Sequence, residues 1–304
     1  MSETIPSPTD IGALANRINL HTRDAHNKID KAMSLNIAFA LRHRFIYEDI
    51  IKTYFVVFST IEDNVDNILI NDPNSQTAII LKSFYVDEFR RKPQLLKDLK
   101  ILRIDPSYVN NQWLNTRPEL INFINFINEN IKESPISILA YCHVLYLALF
   151  AGGRIIRSSL YKNLGFLPNF DHLTKQEMID QGTNFFRFAK TTDAENKLRW
   201  SYKKNYELNT RNQLTELQKL KIIDTAGKIF DYNTATLFEI KDVNKNELMH
   251  KFSFKLITFL IEEWKFNDTV ITQTTKKNIL FSIAFIQSVL VYFILKRLVV
   301  SYLL

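Results

Sequence analysis

An imidazole followed four residues later by a carboxylate is an arrangement that suits a metal ligand, and "INLHTRDAHNKIDKAM" holds one in His26 and Asp30. At that spacing the two side chains are neighbours on one helix face, so the carboxylate accepts one ring N–H directly or through water. Such a contact fixes the tautomer and strengthens the other nitrogen as a donor to a metal. On a helical wheel Ile11, Ile18, Thr22, Ile29 and Met33 share a face, with His26 at its edge and His21 further off on the other side. A half-buried histidine in an ordinary helix ion pair has the same spacing, so the pair alone leaves ligand and packing roles open.

Two other stretches could carry chemistry. "CHVLYLALFAGGRIIRSSL" reads as a buried helix, yet Gly152 and Gly153 stand side by side in it. Each glycine inside a helix costs about 1 kcal/mol against alanine. The pair serves either close helix packing or a flat ligand that lies against backbone with no room for a Cβ. In "NKLRWSYKKNYE", Arg199 and Lys203 are four apart and fall on one helix face, with Tyr202 beside them. Two cations so placed grip a pair of carboxylates on a ligand edge, although a plain basic surface face has the same pattern.

The elements that must position these residues read as helices. The chain has 304 residues, 46% hydrophobic and 23% charged, which are globular values with ample length for a core. It has six glycines and eight prolines, none of the latter after Pro168. Periodicity near 3.6 is common and strict alternation scarce, so the predicted fold is all-α. Residues 1–9 read as a disordered lead, and Asp10 as the N-cap of the first helix. Further helices are expected at about 47–70, 77–84, after Pro93, 118–133, 135–162, 193–208 and 213–241, with "DPSYVNNQW" and "NTRPEL" as loops. The expected organisation is a helical domain over 10–240, a charged and aromatic linker over 241–278, and a membrane anchor over 279–304. Ile279–Leu295 carries no formal charge over 17 residues, about 25 Å of helix and at the short limit for a bilayer core. Lys296 and Arg297 can extend it by snorkelling. A buried terminal helix is the competing reading.

Several classes are excluded. The single cysteine, Cys142, leaves no intramolecular disulfide and no CxxC site. No HExxH, G-x-S-x-G or Walker A sequence occurs. Glu247 and His250 form one Glu-x-x-His, but a di-iron bundle needs two. The net charge of +7 is spread without an arginine-rich arm, so nucleic acid is not an expected partner. The polar start "MSETIPSPTD" is no cleavable signal, which leads to an expected cytosolic exposure of the main body.

Taken together, these stretches resemble the haem oxygenase family over about residues 11–240. "LHTRDAHNKIDKA" is similar to the family's proximal helix, with Thr22 four residues before the histidine and Asp30, where the family usually has Glu, four after. "YLALFAGGR" looks like the distal helix, where the family carries Y-L-G-D-L-S-G-G-Q. "YFVVFSTIEDNVD" and "FYVDEFRRKPQLLKDL" resemble the helices between, while "FFRF" with "LRWSYKKNYE" resembles the region holding the haem propionates. Asn233, in "GKIFDYNTATLF", matches a family asparagine.

The resemblance implies haem b as both cofactor and substrate, opened with O2 to biliverdin, carbon monoxide and ferrous iron. It implies His26 as the axial iron ligand, with Arg199, Lys203, Tyr202, Arg23, Asp30 and Asn233 as cofactor-binding residues. Gly152, Gly153 and Arg154 would form the catalytic distal face. Electrons would come from NADPH through NADPH–cytochrome P450 reductase, at the endoplasmic reticulum membrane, where membrane-bound members are tail-anchored. The family's distal glycine and aspartate fall on Ala148 and Leu149, and Arg154 replaces the glutamine after the glycine pair. Leu149 in place of the acid leaves two alternatives, a non-catalytic haem-binding or storage protein and a haem peroxidase.

Overall fold

The computed structural model describes residues 6–27, 43–162 and 180–252, together with residues 173, 174, 177 and 255; at 154, 155 and 158–162 it describes backbone only. The fold is all-α as expected, with no strand among the described residues. The chain divides into two compact units, Met1–Val243 and Asn244–Leu304. The expected anchor over 279–304 and most of the linker lie outside the described residues.

In the first unit the helices are α1 (Leu14–His21), α2 (Arg44–Asn71), α3 (Gln76–Phe84), α4 (Lys92–Leu102) and α5 (Pro118–Glu133). They continue as α6 (Ile138–Tyr141), α7 (Leu147–Lys162), α8 (Thr192–Gln213) and α9 (Glu216–Val243). Helix α2 is apolar on most of its circumference, from Ile46 through Phe55, Phe58 and Ile61 to Ile68, and a helix of that kind belongs at the centre. It packs against α4 and α5, while α9 lies on α5 and α1, and α8 on α3. Ser75 caps α3, its hydroxyl accepting from Ala78 N at 3.2 Å, and Thr191 caps α8, its hydroxyl accepting from Ala194 N at 3.2 Å. Pro93 sits in the first turn of α4, where its missing N–H costs nothing.

Two expectations need correction. Asp10 is not the cap of α1, which begins at Leu14 after Ala13; its carboxylate accepts from Gly12 N at 3.0 Å and pairs with Arg211. Ile11, read as part of the apolar face, is 90% exposed. Residues 106–116, read as loops, wind into consecutive short helical turns. Burial of Trp113 supplies the reason. Its ring sits between Lys52 at 4.8 Å and Arg117 at 4.7 Å, and both cations pair with the buried Asp49 carboxylate.

The stretch Pro135–Gly153 is long and apolar enough to cross a membrane, but most of it is buried inside the fold, as the core helix of a globular domain would be. It is interrupted by a π-helical turn at Cys142–Tyr146. A widened turn leaves carbonyls to be satisfied, and two tyrosines of α8 help satisfy them. Tyr202 donates to Cys142 O at 2.6 Å and Tyr206 to Leu139 O at 3.1 Å. Turns of this type interrupt helices chiefly where a fold has something to place there.

Candidate functional site

The proximal side is built by the first helix against α9. Helix α1 ends at His21 and is capped by Thr22, whose buried hydroxyl donates back to Ile18 O at 2.9 Å, and residues 23–27 resume as helix. His26 N donates to Thr22 O at 2.8 Å, so the threonine sets the turn that carries the histidine. The His26 ring is exposed to solvent, with its centroid 6.0 Å from Phe230 of α9. His21 lies one turn earlier along α9: a Cβ on Gly227 would come within 3.2 Å of its Nε2, so Gly227 permits the approach. One turn beyond Phe230 is Asn233, whose Oδ1 accepts from Tyr54 of α2 at 3.2 Å. Burial pushes the Tyr54 hydroxyl up to about 12, so at neutral pH it remains a donor. Arg23 is exposed. Asp30 lies outside the described residues.

The distal wall comes from α7 and from a 3-10 turn at Asn184–Phe186. That turn is pinned from beneath by two buried charged residues. Asp98 accepts from Asn184 N and Asn184 Nδ2 at 2.8 Å and from Phe185 N at 2.7 Å. Burial pushes the Asp98 carboxyl up to about 6 although these bonds favour its anion. Arg91 donates to the carbonyls of Phe89, Phe185 and Arg187, with its guanidinium 4.0 Å from the Phe188 ring. Burial lowers it to about 10. Neither residue is singled out by sequence reading, because a charge inside an apolar helix pattern looks like a surface position.

The glycines separate in role. A Cβ on Gly153 would stand 3.0 Å from Phe186 O, tighter than nine in ten such contacts and against backbone, so Gly153 lets α7 press on the pinned turn. A Cβ on Gly152 would meet nothing within 4 Å. Gly152 therefore faces open space, where a flat ligand has room. Alanine at 153 is expected to lower stability by about 1–3 kcal/mol through overpacking, whereas alanine at 152 should raise it by up to about 1 kcal/mol through helix propensity. Thermal melts of the two variants check the pair. Arg154 follows on α7, its side chain outside what the structure describes.

Helix α8 supplies the charge. Arg199 joins Leu149, Phe150, Phe186, Phe188 and Glu195 in lining a small cleft beside α7. Arg199 and Lys203 are both half-buried, and neither has a carboxylate partner among the described residues. Arg199 Nε is buried without a hydrogen-bond acceptor. Lys203 is lowered from its ordinary value by burial and by the neighbouring Arg199 charge. Glu195, one turn before Arg199, is already bound to Arg157 of α7 at 3.1 Å and accepts from Phe188 N at 3.1 Å.

The placement of Tyr202 is corrected. It does not stand with the two cations but in the core, packed on Phe84 and Phe89, with its hydroxyl committed to Cys142 O. At about 100° per residue it lies about 100° round the helix from Lys203. Sequence reading also passes over His143, in the π turn, which is 4% exposed with Nδ1 unpartnered.

An exposed histidine, a helix face left open at Gly152 and two half-buried cations with no carboxylate partner among the described residues are groups that suit a flat metal-bearing dianion. Comparison with known proteins agrees. The family described as Heme oxygenase matches residues 12–239. The Heme-binding protein HMX1 of Saccharomyces cerevisiae is 50% identical over 304 aligned residues, 96% of each chain. Heme oxygenase 2 from Chlamydomonas reinhardtii, solved without heme, superposes with a TM-score of 0.60 at 21% identity, covering 74% of this chain and 96% of that one. Heme oxygenase-1 from the cyanobacterium Synechocystis, in complex with heme, gives 0.59 at 17% identity, over 82% and 99%. At such identities the structures speak for the fold, and the family match over three quarters of the chain carries the assignment: this protein belongs to the haem oxygenase family.

Proposed function

We propose that the chain is an active haem oxygenase, cleaving haem with O2 to biliverdin, carbon monoxide and ferrous iron. The observation that carries this reading is the pair Arg199 and Lys203, both half-buried, with no carboxylate partner among the described residues. Unpaired half-buried cations are costly unless a ligand completes them, and a dicarboxylate does so.

Haem, when bound, supplies both the iron that takes up dioxygen and the macrocycle that is opened. The chain's own residues do the rest. His26 would hold the metal through its exposed imidazole. Arg199 and Lys203 would hold the carboxylate edge of the group and so orient it. Gly152 leaves the far face open close to backbone, while Leu149, Phe150 and Phe186 keep water from it. Reducing equivalents from NADPH arrive through a reductase of the cytochrome P450 type, and residues 279–304 hold the chain on the endoplasmic reticulum membrane, with the domain in the cytosol.

One observation favours a second reading, in which haem is bound but not cleaved to biliverdin. Leu149 stands at the distal wall, 8% exposed, and Glu195, the carboxylate that lines the same cleft, is engaged with Arg157. The full-length chain in detergent, loaded with haemin and given reductase and NADPH, separates the two. Decay of the Soret band with biliverdin and carbon monoxide is the expected result. A persistent band would establish storage, and bleaching without biliverdin would establish peroxidase chemistry.

A further inference from the structure

Along α8 the positions 195, 199, 203, 207 and 211 carry Glu, Arg, Lys, Glu and Arg. Successive members are four apart, so each side chain is a neighbour of the next on the helix surface. An acid four residues before a cation is the better orientation for an ion pair on a helix, and Glu195 and Arg199 line one cleft. The pair expected between them is nonetheless not made. Both Glu195 oxygens are taken by Arg157 of α7, Oε1 by Nη1 at 3.2 Å and Oε2 by Nη2 at 3.1 Å, and Oε1 also accepts from Phe188 N at 3.1 Å. At the other end of the strip Glu207, the neighbour of Lys203, is bound by Arg211 instead, which donates to its Oε1 through Nε at 3.0 Å and Nη2 at 2.7 Å. Each acid is thus engaged by an arginine outside the central pair, and the two cations between them have no carboxylate partner among the described residues. Arg199 Nε is buried without an acceptor.

We propose that Arg157 is a positioning residue of the anion clamp: by holding Glu195 in a two-pronged pair from α7, it keeps that carboxylate from closing on Arg199 and leaves Arg199 open to the carboxylate edge of a tetrapyrrole. This rests on the reading of Arg199 and Lys203 as the clamp and adds the residue that keeps it open.

The physical need for such a residue follows from burial. Glu195 is 6% exposed, and a buried carboxylate stripped of its cation is strongly destabilising, so it takes whichever cation is in reach. Arg157 satisfies it from another helix with two parallel N–H groups, the geometry in which a guanidinium holds a carboxylate hardest. Without Arg157, the next cation is Arg199, one turn along α8 in the same cleft. Glu195 Oε1 would keep its bond to Phe188 N, and Oε2 would be the oxygen released to Arg199. A ligand carboxylate would then have to displace an internal one of the same chemistry. Its apparent affinity would fall by the fraction of molecules in which Arg199 remains open.

Haemin and haemin dimethyl ester, whose propionates carry no charge, are titrated into full-length protein in detergent, and the ratio of the two affinities reads the clamp. Arg157→Met is expected to bind haemin about 10-fold more weakly, the loss of one charge-assisted bond to a carboxylate, with little change for the ester. The decisive variant is Arg157→Met with Glu195→Gln, which removes the competitor as well and should recover most of the lost affinity for haemin. A pair that merely braced α7 on α8 would not be rescued in this way, since the bridge is still missing. Where Arg157→Met does not fold, Arg157→Lys replaces the fork by a point charge and should show a smaller loss with the same recovery. An unchanged affinity ratio in a folded Arg157 variant, or a loss that Glu195→Gln does not recover, overturns the role of Arg157 and leaves the clamp standing. Equal binding of haemin and its ester by wild type removes the clamp itself, and absence of haemin binding removes the tetrapyrrole reading, in either case taking the role of Arg157 with it.

Discussion

Replacing His26 with alanine abolishes the low-spin ferric spectrum of the haem complex and lowers biliverdin formation by about 100-fold or more. Residues that merely brace a metal ligand already cost about 10–100-fold when removed, and this substitution removes the ligand. The fold should survive it. His26 is exposed, its backbone bond to Thr22 O does not involve the ring, and exposed substitutions usually stay within about 0.5 kcal/mol. Loss of signal with an unchanged thermal midpoint therefore reads as loss of ligation. Added imidazole should restore part of the spectrum by filling the vacated position.

His21→Ala is the control, since the second histidine of the same segment rests against Gly227 rather than Phe230. The His21 variant keeps the low-spin complex. An unchanged spectrum in the His26 variant would defeat the assignment, and a lost spectrum in the His21 variant would transfer it to the other ring. Both outcomes are visible in one absorbance scan.

How much of this was legible beforehand depends on which residues are considered. The helices were legible where periodicity and end signals agree, as in α5 between Pro118 and Glu133, which matches the expected span. They were not where long-range burial decides. Nothing local to 106–116 says that Trp113 needs the Asp49 ion pair, and that packing converts expected loops into helical turns. Motif spacing led to Gly152, Arg199 and Lys203, because i and i+4 relations survive any tertiary arrangement. It misplaced Tyr202, because adjacency in sequence is not adjacency on a helix. It could not distinguish Gly152 from Gly153, since only the approach of Phe186 from about thirty residues downstream tells them apart. Asp98 and Arg91 escaped for the converse reason, being charges whose partners are backbone groups of a distant turn. His143 did leave a signal, an imidazole in the otherwise apolar run "CHVLYLALF", where it is buried.

The double variant Arg199→Met, Lys203→Met should lose haem affinity by two to four powers of ten while the empty protein becomes no less stable. Each hydrogen bond from a cation to a carboxylate contributes about 1.5–3 kcal/mol, so two missing bonds amount to about 3–6 kcal/mol of binding. The lower figure is the better guide, because both side chains are only half-buried and water screens them. The single variants will not sum to the double, since the two groups share one ligand edge and repel one another in its absence. That repulsion is also why stability should hold or rise. Methionine keeps the length of the stems while removing two like charges that have no counter-ion among the described residues.

Salt supplies the independent check. Wild-type affinity should weaken as ionic strength rises, and the double variant should be nearly indifferent to it. A variant that loses affinity but keeps the salt dependence would place the propionates on other cations, and Arg23, exposed beside His26, is the first to examine. A variant that keeps both would show that the unpaired charges of α8 serve something other than the haem edge, and the proposed function would lose its main support.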